Sequence, residues 1–161
     1  MTNVLQLLQE FHKEKLELMF RHLAGATFIA QYDVNNTYQY IVNRDEVHLS
    51  WLEAAIRELD GTFAEQHGPQ RTVPGNRAEA ASRVIEEDAR DSQAFVDRWR
   101  PRVEAMPNAR HAKMLGLILG EVLEQKRFFE QARAGRTDLL GRRGAQVAPS
   151  HGNVLASRWI E

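Results

Sequence analysis

The chain of 161 residues contains no cysteine. That absence excludes a disulfide framework, a zinc–thiolate site and a thiol nucleophile, and it leaves nitrogen and oxygen as the donors for any metal. It also suits a reducing compartment, so the expected location is the cytoplasm. Net charge is nearly absent too: 21 basic residues stand against 22 acidic ones, giving −1. Such a balance offers no general attraction for nucleic acid or anionic lipid, and neither is expected as a partner, although residues 133–143 are locally basic. Long apolar runs are missing, and Met1-Thr2-Asn3-Val4-Leu5-Gln6 has no basic segment followed by an apolar one, so neither a membrane span nor a leader is expected. The chain also lacks a Gly-x-Ser-x-Gly elbow, a Gly-Lys-Ser/Thr phosphate loop and a His-Glu-x-x-His motif, which removes the catalytic signatures easiest to read.

What remains is helical periodicity. With 43% hydrophobic and 27% charged residues the composition is that of one ordinary domain. Four segments repeat their apolar residues at three- and four-residue steps. The first runs from Val4 to about Ala30, with Leu5, Leu8, His12, Leu16, Met19, Leu23 and Ala26 on its inward face. Asp33-Val34-Asn35-Asn36-Thr37 then supplies turn and cap residues before a second helix from Thr37 to Leu59. After Asp60-Gly61 the periodicity stops until a third helix, Arg77 to Arg100, which Pro101 should bend or end. A fourth spans Ala109 to Arg133 and closes at Gly135. The expected fold is therefore all-α: a four-helix bundle over residues 1–135, with a long crossover between the second and third helices. Residues 136–161 form an irregular tail whose apolar end, Val154 to Ile160, should dock on the bundle or on a second subunit. A homodimer is expected, because four-helix bundles often pair along exposed faces.

The inward faces carry polar residues that a core does not need. Asp45 and His48 lie one turn apart on the stripe Tyr38, Ile41, Asp45, His48, Leu52, Ala55 and Leu59, close enough to share a metal ion or a proton. His12 interrupts the first stripe. Asp88 interrupts the third, among Ala81, Ile85, Ser92, Phe95 and Trp99. Glu121 and Gln125 interrupt the fourth, among His111, Leu115, Ile118, Phe129 and Ala132. A buried carboxylate is costly unless something positive meets it, and a metal ion or a protonated histidine would serve. The other reading of the same residues is a closed hydrogen-bond network that fixes helix register.

A faint internal repeat supports a common design for the halves. Trp51-Leu52-Glu53 is similar to Phe128-Phe129-Glu130, which pairs His48 with Gln125, and the separations 12 to 48 and 88 to 125 are nearly equal, so that His12 answers Asp88. On these residues the chain resembles the ferritin-like superfamily, especially its rubrerythrin-type members. In those proteins the first and third helices each offer a Glu, and the second and fourth each offer Glu-x-x-His, around two metal ions. Asp45-x-x-His48 matches the second-helix motif with Asp for Glu. His12 and Asp88 stand where a Glu would, and the fourth helix departs most, with Glu121 and Gln125 and no histidine. A weaker resemblance is to the DinB-like bundles, which hold one divalent metal by three histidines; His48 fits the first of these, while His111 and His151 do not form the spaced pair.

The ferritin-like resemblance implies a metal-binding protein with an oxygen- or peroxide-related site. Asp45, His48 and Glu121 would be its ligands, with His12 and Asp88 in support. Iron or manganese is favoured, and zinc or nickel is compatible with the donors. The alternative expectation is a metal-free bundle acting as an interaction or stress-related protein.

Overall fold

The computed structural model describes residues 3–65, 68 and 70–141. The proposed docking of Val154 to Ile160 lies outside the described residues. Four helices carry the fold: α1 (Val4–Ala26), α2 (Tyr32–Glu58), α3 (Arg77–Glu104) and α4 (Ala109–Arg133). No other regular element occurs among the described residues, and none of these helices is long and apolar enough to cross a membrane.

Each helix starts at a side-chain cap. Asn3 Oδ1 accepts from Leu5 N–H at 2.9 Å, and Asn108 Oδ1 accepts from His111 N–H at 3.0 Å. Asn76 and Glu79 close a reciprocal capping box at the start of α3. The α1–α2 connection is shorter than its composition suggests: α1 stops at Ala26, and α2 begins at Tyr32, five residues before Thr37. Gln31 Oε1 caps Val34 N–H at 2.7 Å. Asn35 turns its amide outward onto the carbonyls of Ala26 and Ile29, at 3.0 and 3.1 Å. The polar run read as a break therefore caps and buttresses the first turns of α2.

α3 does not end at Arg100 but continues through Pro101 to Glu104. The carbonyl that loses its partner there belongs to exposed Asp97, where solvent can reach it, while buried Trp99 and Val103 hold the last turn on the core. Asp60, with φ 57°, and Gly135, with φ 92°, take the left-handed conformation just past α2 and α4.

Cross-helix pairs fix the topology. Arg21–Asp91, Glu14–Arg98 and Glu10–Arg102 run in opposite senses along α1 and α3. Arg44–Glu121 and Glu58–Arg110 do the same for α2 and α4. Since α1 and α2 are also antiparallel, α2 and α3 point the same way, and the segment between them must travel the length of the bundle. It does so along α1: Gly61 meets Leu5, Thr62 O accepts from Gln9 at 2.7 Å, Phe63 stacks near His12, Gly68 meets Phe20 and Arg71 reaches Arg21 O at 2.8 Å. The crossover is a strap laid on α1.

The apolar core falls into two clusters. The larger surrounds Phe11, Leu52, Phe95, Trp99 and Ile118, and the smaller surrounds Tyr38, Ile41, Val84 and Phe129. Buried polar residues interrupt this core, Lys15, His22, Asp45 and His48 among them.

Candidate functional site

Asp45 is the hub of that polar layer. Its side chain is 0% exposed, as are those of Lys15 and His22. Lys15 Nζ donates to Asp45 Oδ1 at 2.5 Å, His22 Nδ1 donates to Oδ2 at 2.7 Å, and Gln125 Nε2 donates to Oδ1 at 3.1 Å. Burial on its own would raise the Asp45 pKa, but the Lys15 ammonium and His22 outweigh it and hold the carboxyl well below the usual carboxylate range. A carboxylate that receives an ammonium and two further N–H donors in an apolar interior has nearly all its lone pairs engaged.

Beside this hub, His48 Nε2 is bonded to Glu121 Oε2, and Arg44 Nη2 reaches Glu121 Oε1 at 2.6 Å. Glu121 is about one-third exposed, with 32% of its side chain accessible, whereas His48 is fully buried behind it. Burial lowers the pKa of His48, and the Lys15 charge adds to that effect against the opposing pull of Glu121. Glu121 itself is held below the ordinary carboxylate range by His48 and Arg44, against its partial burial. A carboxylate can only accept, so neutral His48 carries its proton on Nε2 and presents Nδ1 as a lone pair. His22 donates from Nδ1 and, when neutral, presents Nε2. Neither atom has a partner among the described residues, and neither does Gln125 Oε1.

The structure does not bring Asp88 and His12 to this hub. Asp88 forms a second cluster: Arg71 Nη1 donates to Oδ1 at 2.9 Å and the Tyr38 hydroxyl donates to Oδ2 at 2.5 Å. Here burial wins, and the Asp88 pKa is raised despite His22, Arg71 and Tyr38. The same burial, with Asp88 beside it, pushes the Tyr38 phenol well above its usual value. His12 sits nearer the other end of α1, 3.4 Å from Glu53 and stacked near Phe63. Its pKa is lowered by burial, which exceeds the effect of Glu53.

Two residues central to the site, Lys15 and His22, are absent from the sequence-derived candidates. The buried face of α1 is Leu7, Leu8, Phe11, His12, Lys15, Leu18, Met19, His22 and Gly25, whereas Leu23, read as inward, is 49% exposed. The expected stripe of Leu5, Leu8, His12, Leu16, Met19, Leu23 and Ala26 shares Leu8, His12 and Met19 with this face. The residues Leu8, Phe11, Lys15, Leu18, His22 and Gly25 form an equally regular helical row, shifted in phase.

The internal repeat becomes exact in register. A shift of 77 residue numbers, which carries Trp51 onto Phe128, also carries Arg21 onto Arg98 and Glu14 onto Asp91. It thereby exchanges the ion pairs Arg21–Asp91 at 3.1 Å and Arg98–Glu14 at 3.2 Å. The shift carries Arg44 onto its own partner Glu121, so that pair lies on the pseudo-two-fold axis. Lys15, Asp45 and His48 map onto Ser92, Val122 and Gln125, so the second half has no counterpart of the Lys15–Asp45 pair, and the residue answering Asp88 is Phe11.

Three acids offered by the sequence as ligands thus each have a protein cation: Lys15 on Asp45, Arg71 on Asp88 and Arg44 on Glu121. Among the described residues no three His, Asp or Glu side chains are grouped so as to hold a metal ion. No family model, curated protein or solved structure matches the chain.

Proposed function

We propose that this chain is a metal-free helical bundle with an ionic core, serving as an interaction protein. The observation that carries the proposal is the Lys15 ammonium 2.5 Å from Asp45 at a site with no exposure. A divalent ion bound by Asp45 would have to displace that ammonium or sit against it, and two cations in a low-dielectric interior repel strongly. The donor set therefore does not fit a resident metal, and no step of chemistry is assigned to one. Self-association belongs to the same reading. The outer α2/α4 face carries Tyr40 at 43% and Leu117 at 58% exposure, and beside Leu117 on α4 are Gly116 and Gly120, where an added Cβ would meet nothing within 4 Å.

A second reading, the ferritin-like metal protein, is favoured by one feature. His22 Nε2 and His48 Nδ1, next to Asp45 and Glu121, are buried atoms without partners among the described residues. In that reading iron or manganese, or else zinc or nickel, would be bound with imidazole and carboxylate donors after Lys15 withdraws.

Elemental analysis separates the two. Untagged protein incubated with Fe(II), Mn(II), Zn(II) or Ni(II) and then desalted should retain far less than one ion per chain, and His48→Ala should be no different. A stoichiometric ion that disappears in His48→Ala would overturn the metal-free reading in favour of the second.

A further inference from the structure

At the end of the bundle where α1 turns into α2, a groove of about 530 Å³ opens between the α1–α2 connection, the first turns of α3 and the end of α4. Its lining is apolar at Phe28, Ile29, Val34 and Ile85 and small at Ala78, Ala81 and Ala132, which leaves space among the described residues. The volume is in the range of small-molecule sites. Two arginines, Arg77 and Arg136, stand among the lining residues, and no acid does. Arg136 is shared with Asp138 at 2.7 Å, while Arg77 makes no ion pair among the described residues.

We infer that this groove binds a single-chain aliphatic carboxylate. The apolar walls take the hydrocarbon, and Arg77 takes the carboxylate. A peptide strand fits less well, because Gln31 and Thr137 are the uncharged polar side chains of the lining and most of its backbone groups would stay unpaired. The inference does not depend on whether the ionic core holds a metal.

Titration calorimetry of the full chain with decanoate, below its critical micelle concentration, tests it. One decanoate per chain should bind saturably, with decanol at least tenfold weaker. Arg77→Glu should weaken decanoate at least tenfold, and Ala78→Trp, at an exposed position that reaches over the hollow, should abolish binding while circular dichroism stays helical. Absence of saturable binding would overturn the inference, as would binding that neither variant changes. It would be equally overturned if the protein ignored decanoate but bound phosphatidylglycerol vesicles, or formed a dimer that Ala78→Trp disperses; the occupant would then be a membrane or a second copy.

Discussion

Asp45 and Asp88 are both buried to 0% exposure, yet their protonation equilibria move in opposite directions. Desolvation is the largest influence on each, so the difference lies in the partners. Asp45 receives a primary ammonium and an imidazole directly, whereas Asp88 receives one guanidinium and a phenol. A folded-state pKa below the unfolded one makes Asp45 a source of stability at neutral pH that is lost in strong acid. Asp88 works the other way and costs stability once ionised. Between pH 7.5 and 5.5 the lowered pKa values of His12 and His48 pull stability down on acidification, and the raised pKa of Asp88 pulls the other way. At those two histidines the unfolded chain takes up protons that the folded chain refuses, so their share of the stability falls as pH drops through about 6.5, the ordinary histidine value. Between pH 7.5 and 5.5 the native chain should lose more urea midpoint on acidification than the double variant His12→Gln/His48→Gln. A pH dependence that the double variant leaves unchanged would contradict the assignment. At this scale the sequence was half legible. Asp45 and His48 read as inward from their spacing, but a lysine reads as solvated by default, and Lys15 could be recognised as buried only through the unpaired acid opposite it.

At the scale of elements, the capped helix starts were readable because Asn3, Asn76 and Asn108 each stand just before an apolar-periodic run. The ends were less so: Asn35 can break a helix or brace one, and the choice depends on the carbonyls of Ala26 and Ile29 that tertiary structure brings to it. The crossover was legible as a long aperiodic stretch, but its anchor was not. Arg71 closes the strap on Arg21 O, Val84 O, Glu87 and Asp88, and it passes so close to α1 that a Cβ at residue 25 would lie 2.7 Å from its Nη1. Gly25 is therefore a requirement of the crossover, although it weakens α1 as a helix. Gly25→Ala should destabilise the protein by about 1–3 kcal/mol through displacement of Arg71. Gly116→Ala, an equally helical position with open space around it, should stabilise by roughly 0.5–1 kcal/mol. Equal effects in thermal or urea unfolding would refute the steric account of Gly25.

Over the whole molecule, a helix pair of one design is used twice about an axis through Arg44 and Glu121. The charged centre, however, survives in the first half alone. The class of fold was legible because four long amphipathic segments with one aperiodic crossover admit few arrangements. The content of the centre was not, because it depends on which of two overlapping stripes on α1 faces inward. With the Lys15 stripe inside, the bundle carries its own counter-ion, and removing one member of the pair leaves an uncompensated charge in the core. Replacing both by apolar side chains does not. A double-mutant cycle by urea unfolding at pH 7.5 measures this directly. Lys15→Met and Asp45→Leu should each cost about 3–5 kcal/mol, while the double variant should recover most of that loss. Single variants with near-native stability, or losses that simply add, would mean that the lysine is not the cation holding Asp45.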